Sequence, residues 1–201
     1  MHRNSLLNQL YKYNPKDKEE IGYKERMIQF VKKYPNCFKR ELEIGHITAS
    51  AWLLNKEQTH VLLTHHAKLD IWIQVGGHCD GNSNVIEVAI KEAQEESGVQ
   101  QIAPLSTEIF DIDIHLIPKY KHIKAHYHYD IRFLLTVNSN ESIVVSEESK
   151  NLQWFTKDKQ ILPTQDRSVI RMFDKWVNNL NLQVLIKLRQ NTPKQGPVNS
   201  R

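Results

Sequence analysis

At 201 residues, 40% of them hydrophobic and 25% charged, the chain is long enough for one sizeable core and has the composition of a globular protein rather than a disordered or fibrous one. Its net charge of +4, with ten histidines uncounted, suits a small anionic substrate and is too weak and too dispersed for a nucleic-acid partner. Cys37 and Cys79 match neither a metal-ligand spacing nor a disulfide framework, the N-terminus lacks a signal-peptide core, and no apolar run reaches membrane length, so the expectation is a cytoplasmic protein with no membrane partner.

In chain order, residues 5–13 predict a short helix ended by Asn14-Pro15, and residues 17–34 a longer one stopped at Tyr34-Pro35. Residues 45–55 alternate small or polar with apolar side chains and predict a strand, which residues 60–64 answer across a turn. Residues 71–75 form a third short strand that delivers the chain into Gly76-Gly77. Beyond a helical stretch, residues 109–117 alternate strictly, with Asp111, Asp113 and His115 on one face. Residues 125–135 place His126, His128, Asp130 and Arg132 on one face of a strand expected to pair with them as a hairpin. Residues 143–145 and 152–155 read as two further strands around an acidic loop, residues 168–180 as a last helix, and residues 189–201 as a mobile tail. Helices, a mixed sheet and a glycine-flanked helix together give an α/β (α+β) sandwich.

The stretch from Gly77 to Val99 carries the densest chemistry. Asn84 is a candidate N-cap with Glu87 three residues later, Ile86, Ala89, Ile90 and Ala93 supply a buried stripe, and Gly98 stands where a left-handed C-terminal residue is wanted. Glu92, Glu95 and Glu96, at i, i+3 and i+4, project from one face. Carboxylates so crowded repel one another unless a cation or a set of donors offsets them, and their oxygens are the ligands Mg²⁺ prefers.

These residues resemble the Nudix box, G-x5-E-x7-R-E-U-x-E-E-x-G-U, with Gly77, Glu92, Glu95, Glu96, Gly98 and Val99 in place. Two positions depart: Ser83 stands for the first glutamate and Lys91 for the arginine, the pair that holds the loop to the helix in the family. Lys91 is expected to pair with Glu87 instead. The resemblance implies a Nudix-type mixed sheet between helices over residues 45–188, preceded by a helical extension at 1–44 that caps the cleft, forms a homodimer contact or packs on the core. It also implies hydrolysis of the pyrophosphate bond in a small nucleoside diphosphate linked to another group, such as ADP-ribose, a nucleotide sugar or CDP-choline. Mg²⁺, with Mn²⁺ as a substitute, would be held by Glu92, Glu95, Glu96 and the Gly77 carbonyl. A general base is sought at Glu147 or Glu148, which read equally well as a solvated acidic turn. Alternatives are cleansing of nucleoside triphosphates and, because of Ser83 and Lys91, a non-catalytic nucleotide-binding module.

Three readings of the histidine-rich hairpin stay open. His126, His128 and Asp130, with Asp113 and His115 across from them, have the residue types of a zinc site. The same residues with Arg132 could bind substrate phosphate or ribose, or form a polar strand face without further role. Cys79, beside His78, reads as a small residue in a tight loop rather than a nucleophile.

Overall fold

A computed structural model describes residues 2–139, 141–146 and 149–190, with side chains through residue 178. Eight strands form one mixed sheet between two layers of helices, the expected α+β sandwich. At its centre β1 (Gly45–Leu54) runs parallel to β7 (His126–Val137) over ten residue pairs. The other edge of β1 is shared. Residues 48–51 pair with β4 (Val75–His78), and residues 53–54 with β2 (His60–His66). Outside β2 lie β3 (Trp72–Ile73) and β8 (Ser149–Thr156). β7 divides its far edge in the same way, between β6 (Asp111–Ile117) and β5 (Ile102–Pro104).

Every residue of β1 is buried because both faces of the sheet are covered. Ile47, Ala49, Ala51 and Leu53 pack into a core with Val88, Ala89 and Ala93 of α3 (Val85–Ser97). Leu6 and Leu10 of α1 (Asn4–Lys12) and Met27, Phe30 and Val31 of α2 (Lys18–Lys33) join that core, so the N-terminal helices pack on the sheet. On the opposite face Trp52 and Leu54 meet Val169, Met172, Phe173 and Trp176 of α4 (Arg167–Gln190).

Several boundaries differ from the sequence reading. Residues 71–75 are split at Gln74 into β3 and β4, and the glycines continue β4 instead of forming a loop. Residues 143–145 are not a strand; Val144 donates its N–H to the Ser97 carbonyl at 2.8 Å and packs over Gly98. β5 was not anticipated, since a three-residue strand is too short to show periodicity. α4 runs on to Gln190, ten residues past its expected end, and residues 191–201 lie outside the described residues.

Candidate active site

The seam between β4 and α3 is built by two consecutive glycines that open opposite faces of one strand. A Cβ on Gly76 would fall 2.6 Å from the Cα of Ser50 across the ladder, so a side chain there would push β4 off β1. On Gly77 a Cβ would fall 2.2 Å from Glu92 Oε2, so the bare backbone lets that carboxylate come up to the strand. Glu96 Oε1 accepts the Gly76 N–H at 2.6 Å and ties the last turn of α3 to the same strand. Gly98, at φ 75°, then closes the helix in the left-handed conformation expected of it, its N–H bonded to the Gln94 carbonyl.

The three glutamates are therefore not equivalent. Glu92 and Glu96 are half-buried against the glycines, while Glu95 is exposed and pairs with Lys91 Nζ at 2.7 Å. The same ammonium lies 3.6 Å from Glu92. This corrects the expected Lys91–Glu87 pair: Lys91 turns toward Glu92 and Glu95, two carboxylates against the one of Glu87. Asn84 occupies the N-cap position but its side chain makes no capping bond, so the expected capping box does not form.

Fastening of the loop falls to residues the sequence reading did not single out. Arg40 binds Asp80 through two guanidinium nitrogens, and Gly81 N–H bonds the Phe38 carbonyl at 2.9 Å. A basic residue in a charged run such as Lys39-Arg40-Glu41 carries no local signal of a partner forty residues away. Inside this loop Cys79 is buried and its thiol pushed up by that burial, as befits a small packed residue rather than a nucleophile.

Across the sheet from Glu92, one face carries an unbroken polar surface. His46, Thr48 and Ser50 of β1 stand beside His78 of β4, His126, His128, Asp130 and Arg132 of β7, and Asp111, Asp113 and His115 of β6. At the α4 end it is an ion network. Asp130 accepts from Thr48 and Ser50 hydroxyls at 2.9 and 2.8 Å and from Arg132 Nε at 2.7 Å. Arg132 also reaches Asp111 at 3.1 Å and Asp113 at 3.5 Å, while Arg171 and Lys175 of α4 close on Asp111 at 2.8 and 2.7 Å. Burial pushes the Asp113 carboxyl up, but Arg132 and His115 outweigh it and hold it down at about 2. Asp113, Asp130 and Arg132, expected in a substrate-facing patch, instead lie beneath α4 with their charges matched. The α4 stripe is legible in the sequence; that its cations cover this end of the sheet is not.

At the other end the network gives way to imidazoles. His46 is 2% exposed, and its ring lies 5.0 Å from those of His78 and His126 and 4.8 Å from that of His128. Burial, reinforced by neighbouring histidines, lowers His46 to about 4 and His128 to about 2, so both are neutral. Nε2 of His128 is buried without a hydrogen-bond partner, at a cost of roughly 1–3 kcal/mol, and the buried ring nitrogens of His46 have only the Leu42 backbone nearby. Glu147 and Glu148 lie outside the described residues.

A family model described as the NUDIX domain matches residues 44–177, two thirds of the chain and all of the sheet. The chain belongs to the Nudix family. With membership comes the reaction class, hydrolysis of a pyrophosphate linkage. Among solved structures, an Ap4A hydrolase of C. elegans in a binary complex is 17% identical, with TM-score 0.50, covering 67% of this chain and 97% of its own. A dihydroneopterin triphosphate pyrophosphohydrolase of E. coli is 14% identical, with TM-score 0.51, covering 66% and 95%. A MutT protein of Methanosarcina mazei Go1, also 14% identical with TM-score 0.51, covers 69% and 97%. At these identities the likeness is one of fold. No curated protein matches the chain. The Nudix model starts one residue before β1, so α1 and α2 precede it. Among the described residues no helix is long and apolar enough to cross a membrane.

Nudix enzymes generally use divalent metals. The donor set at the β4–α3 seam fits one, since Glu92, Glu95 and Glu96 offer the carboxylate oxygens that hard divalent cations select. Gly77, free of a side chain, keeps the backbone beside Glu92 approachable.

Proposed function

We propose that this Nudix protein is a Mg²⁺-dependent hydrolase of the pyrophosphate bond in a small nucleoside diphosphate linked to another group. The observation that carries the reading is the placement of Glu92 and Glu96 against Gly77 and Gly76, with Glu95 beside them on the open side of α3. Two adjacent phosphates repel a nucleophile, and a divalent ion bound with them offsets that charge and lowers the pKa of coordinated water. Glu92, Glu95 and Glu96 would hold it, with the Gly77 carbonyl as the remaining donor. Mn²⁺ would substitute, being met by the same oxygen donors.

Glu147 or Glu148 is our candidate for the general base. Residues 141–146, which lead to them, include Val144 packed on Gly98, next to the end of α3 that bears Glu96. For substrate contact we retain the rim histidines and set aside the buried ion network. His126 joins His122, Arg40, Lys124, Glu41 and Glu43 in lining a depression beside the box loop; Arg40 and Lys124 are paired there with Asp80 and Glu43, which leaves the imidazoles as the candidate donors to phosphate oxygens. His128 and His115 stand behind it, and Asp113, Asp130 and Arg132 contribute through the strand geometry they hold.

The test is a panel of nucleotide sugars, ADP-ribose, CDP-choline and nucleoside triphosphates with Mg²⁺ or Mn²⁺, with products identified. Cleavage of an X-linked diphosphate into a nucleoside monophosphate and a phosphorylated X is the expected result. Preferential release of pyrophosphate from triphosphates would replace it with a house-cleaning role. Nucleotide binding without any hydrolysis would make the chain a non-catalytic module.

A further inference from the structure

We propose that His46, His78 and His128 form a second metal site, selective for a divalent transition ion of the zinc class and separate from the box glutamates. The three residues come from three adjacent strands, β1, β4 and β7, and one ring nitrogen from each lies within 4.8 Å of the others. A tetrahedral zinc with bonds of 2.0–2.1 Å sets its ligand nitrogens about 3.4 Å apart, so the rings would have to close by up to about 1.4 Å.

A second observation points the same way. His46 is all but wholly buried, yet its ring nitrogens have no side-chain partner and only the Leu42 backbone nearby, and the buried Nε2 of His128 lacks a hydrogen-bond partner. Buried polar groups are ordinarily satisfied, and a group that accepts one lone pair from each ring would satisfy these facing imidazoles together. A metal ion does so, taking one ring nitrogen from each histidine.

Nitrogen donors select the ion. Zn²⁺, Ni²⁺ and Cu²⁺ favour imidazole, whereas Mg²⁺ favours oxygen. The separation from the box follows from strand geometry. Successive residues of β4 face opposite sides of the sheet, so Gly77 meets Glu92 while His78 turns to the histidine side. Two neighbours are already oriented as supporting imidazoles: His115 Nδ1 lies 3.0 Å from Asp113, and His126 Nδ1 lies 2.8 Å from the Lys124 carbonyl. A bound ion would fasten the strand carrying Gly76 and Gly77 to the centre of the sheet.

The experiment is calorimetric titration of the full chain, stripped of metal with a chelator, with Zn²⁺ in the presence of millimolar Mg²⁺. One equivalent should bind, with a rise in Tm. His46→Gln and His128→Gln should each weaken binding roughly tenfold or more, while Glu95→Gln/Glu96→Gln keeps it. His78→Gln, at a less buried position, serves if the metal-free His46 variant does not fold. Absence of stoichiometric Zn²⁺, or binding unchanged in folded histidine variants, would overturn the proposal. Loss of Zn²⁺ binding in the glutamate variant would also overturn it by assigning the ion to the box. Because the readout is zinc binding, these outcomes are independent of whether the nucleotide panel is hydrolysed.

Discussion

Two sets of carboxylates lie on opposite sides of the same strands, and they are handled in opposite ways. Asp111, Asp113 and Asp130 are buried under α4 with Arg132, Arg171 and Lys175 closed around them. Glu92, Glu95 and Glu96 are half-buried or exposed, with the Gly76 N–H and Lys91 among their partners. A buried charge must be matched at once or the fold is lost, whereas a rim carboxylate can stay adjustable and receive a cation. The first set therefore belongs to stability, and the second is where we place the chemistry.

The sharpest way to break that contrast is to remove one cation from the buried set. Arg132→Ala strips Asp130 of its cation and leaves Asp111 and Asp113 to Arg171 and Lys175, and a loss of about 3–5 kcal/mol in stability is expected, read from the urea midpoint. A loss near zero would show that the network is not the structural half of the pair.

Next in size is a pH effect at the histidine end. His46 faces His78 from β4, His126 and His128 from β7, and Arg40 from the segment before β1, while His128 also faces His115 from β6. Unfolded, both titrate near 6.5; folded, they are lowered to about 4 and about 2. The unfolded chain thus takes up protons first, so stability is full above about pH 6.5 and falls as pH drops toward 4. The slope of the metal-free protein approaches about 2.7 kcal/mol per pH unit when both groups contribute. The double variant His46→Gln/His128→Gln should flatten the curve, and an unchanged curve would remove the histidines as its cause.

Smallest in stability, but not in turnover, is Gly77→Ala. Its Cβ meets the end of a flexible side chain, Glu92 Oε2, which can swing away, so less than about 1 kcal/mol should be lost. Turnover should fall by up to about 100-fold, because a displaced carboxylate no longer meets the metal in the productive geometry. Equal losses in stability and turnover would make Gly77 a packing residue only.

The box was legible in the sequence because its requirements are local. Helical spacing sets Glu92, Glu95 and Glu96, and the glycines mark both ends of the seam. Alternation likewise showed which residues of β6 and β7 share a face. What lay on top of that face was not legible, since α4 approaches from forty residues away and its cations decide whether Asp130 and Arg132 meet substrate or one another. His46 and Arg40 were invisible for the same reason. Each sits in a segment with no motif, and each acquires its meaning from parallel pairing of β1 with β7 or from a loop folded back against residues 38–40.

The central claim rests on the rim carboxylates acting as metal ligands and not as scaffold. Metal-dependent turnover of the Glu95→Gln/Glu96→Gln variant, measured beside its Tm, tests it most directly. Glutamine at 96 keeps an acceptor for the Gly76 N–H, so the fold should hold while the charge is gone. Turnover lower by about 1,000-fold or more with Tm unmoved is the expected result. Undiminished turnover in the folded variant would contradict the account.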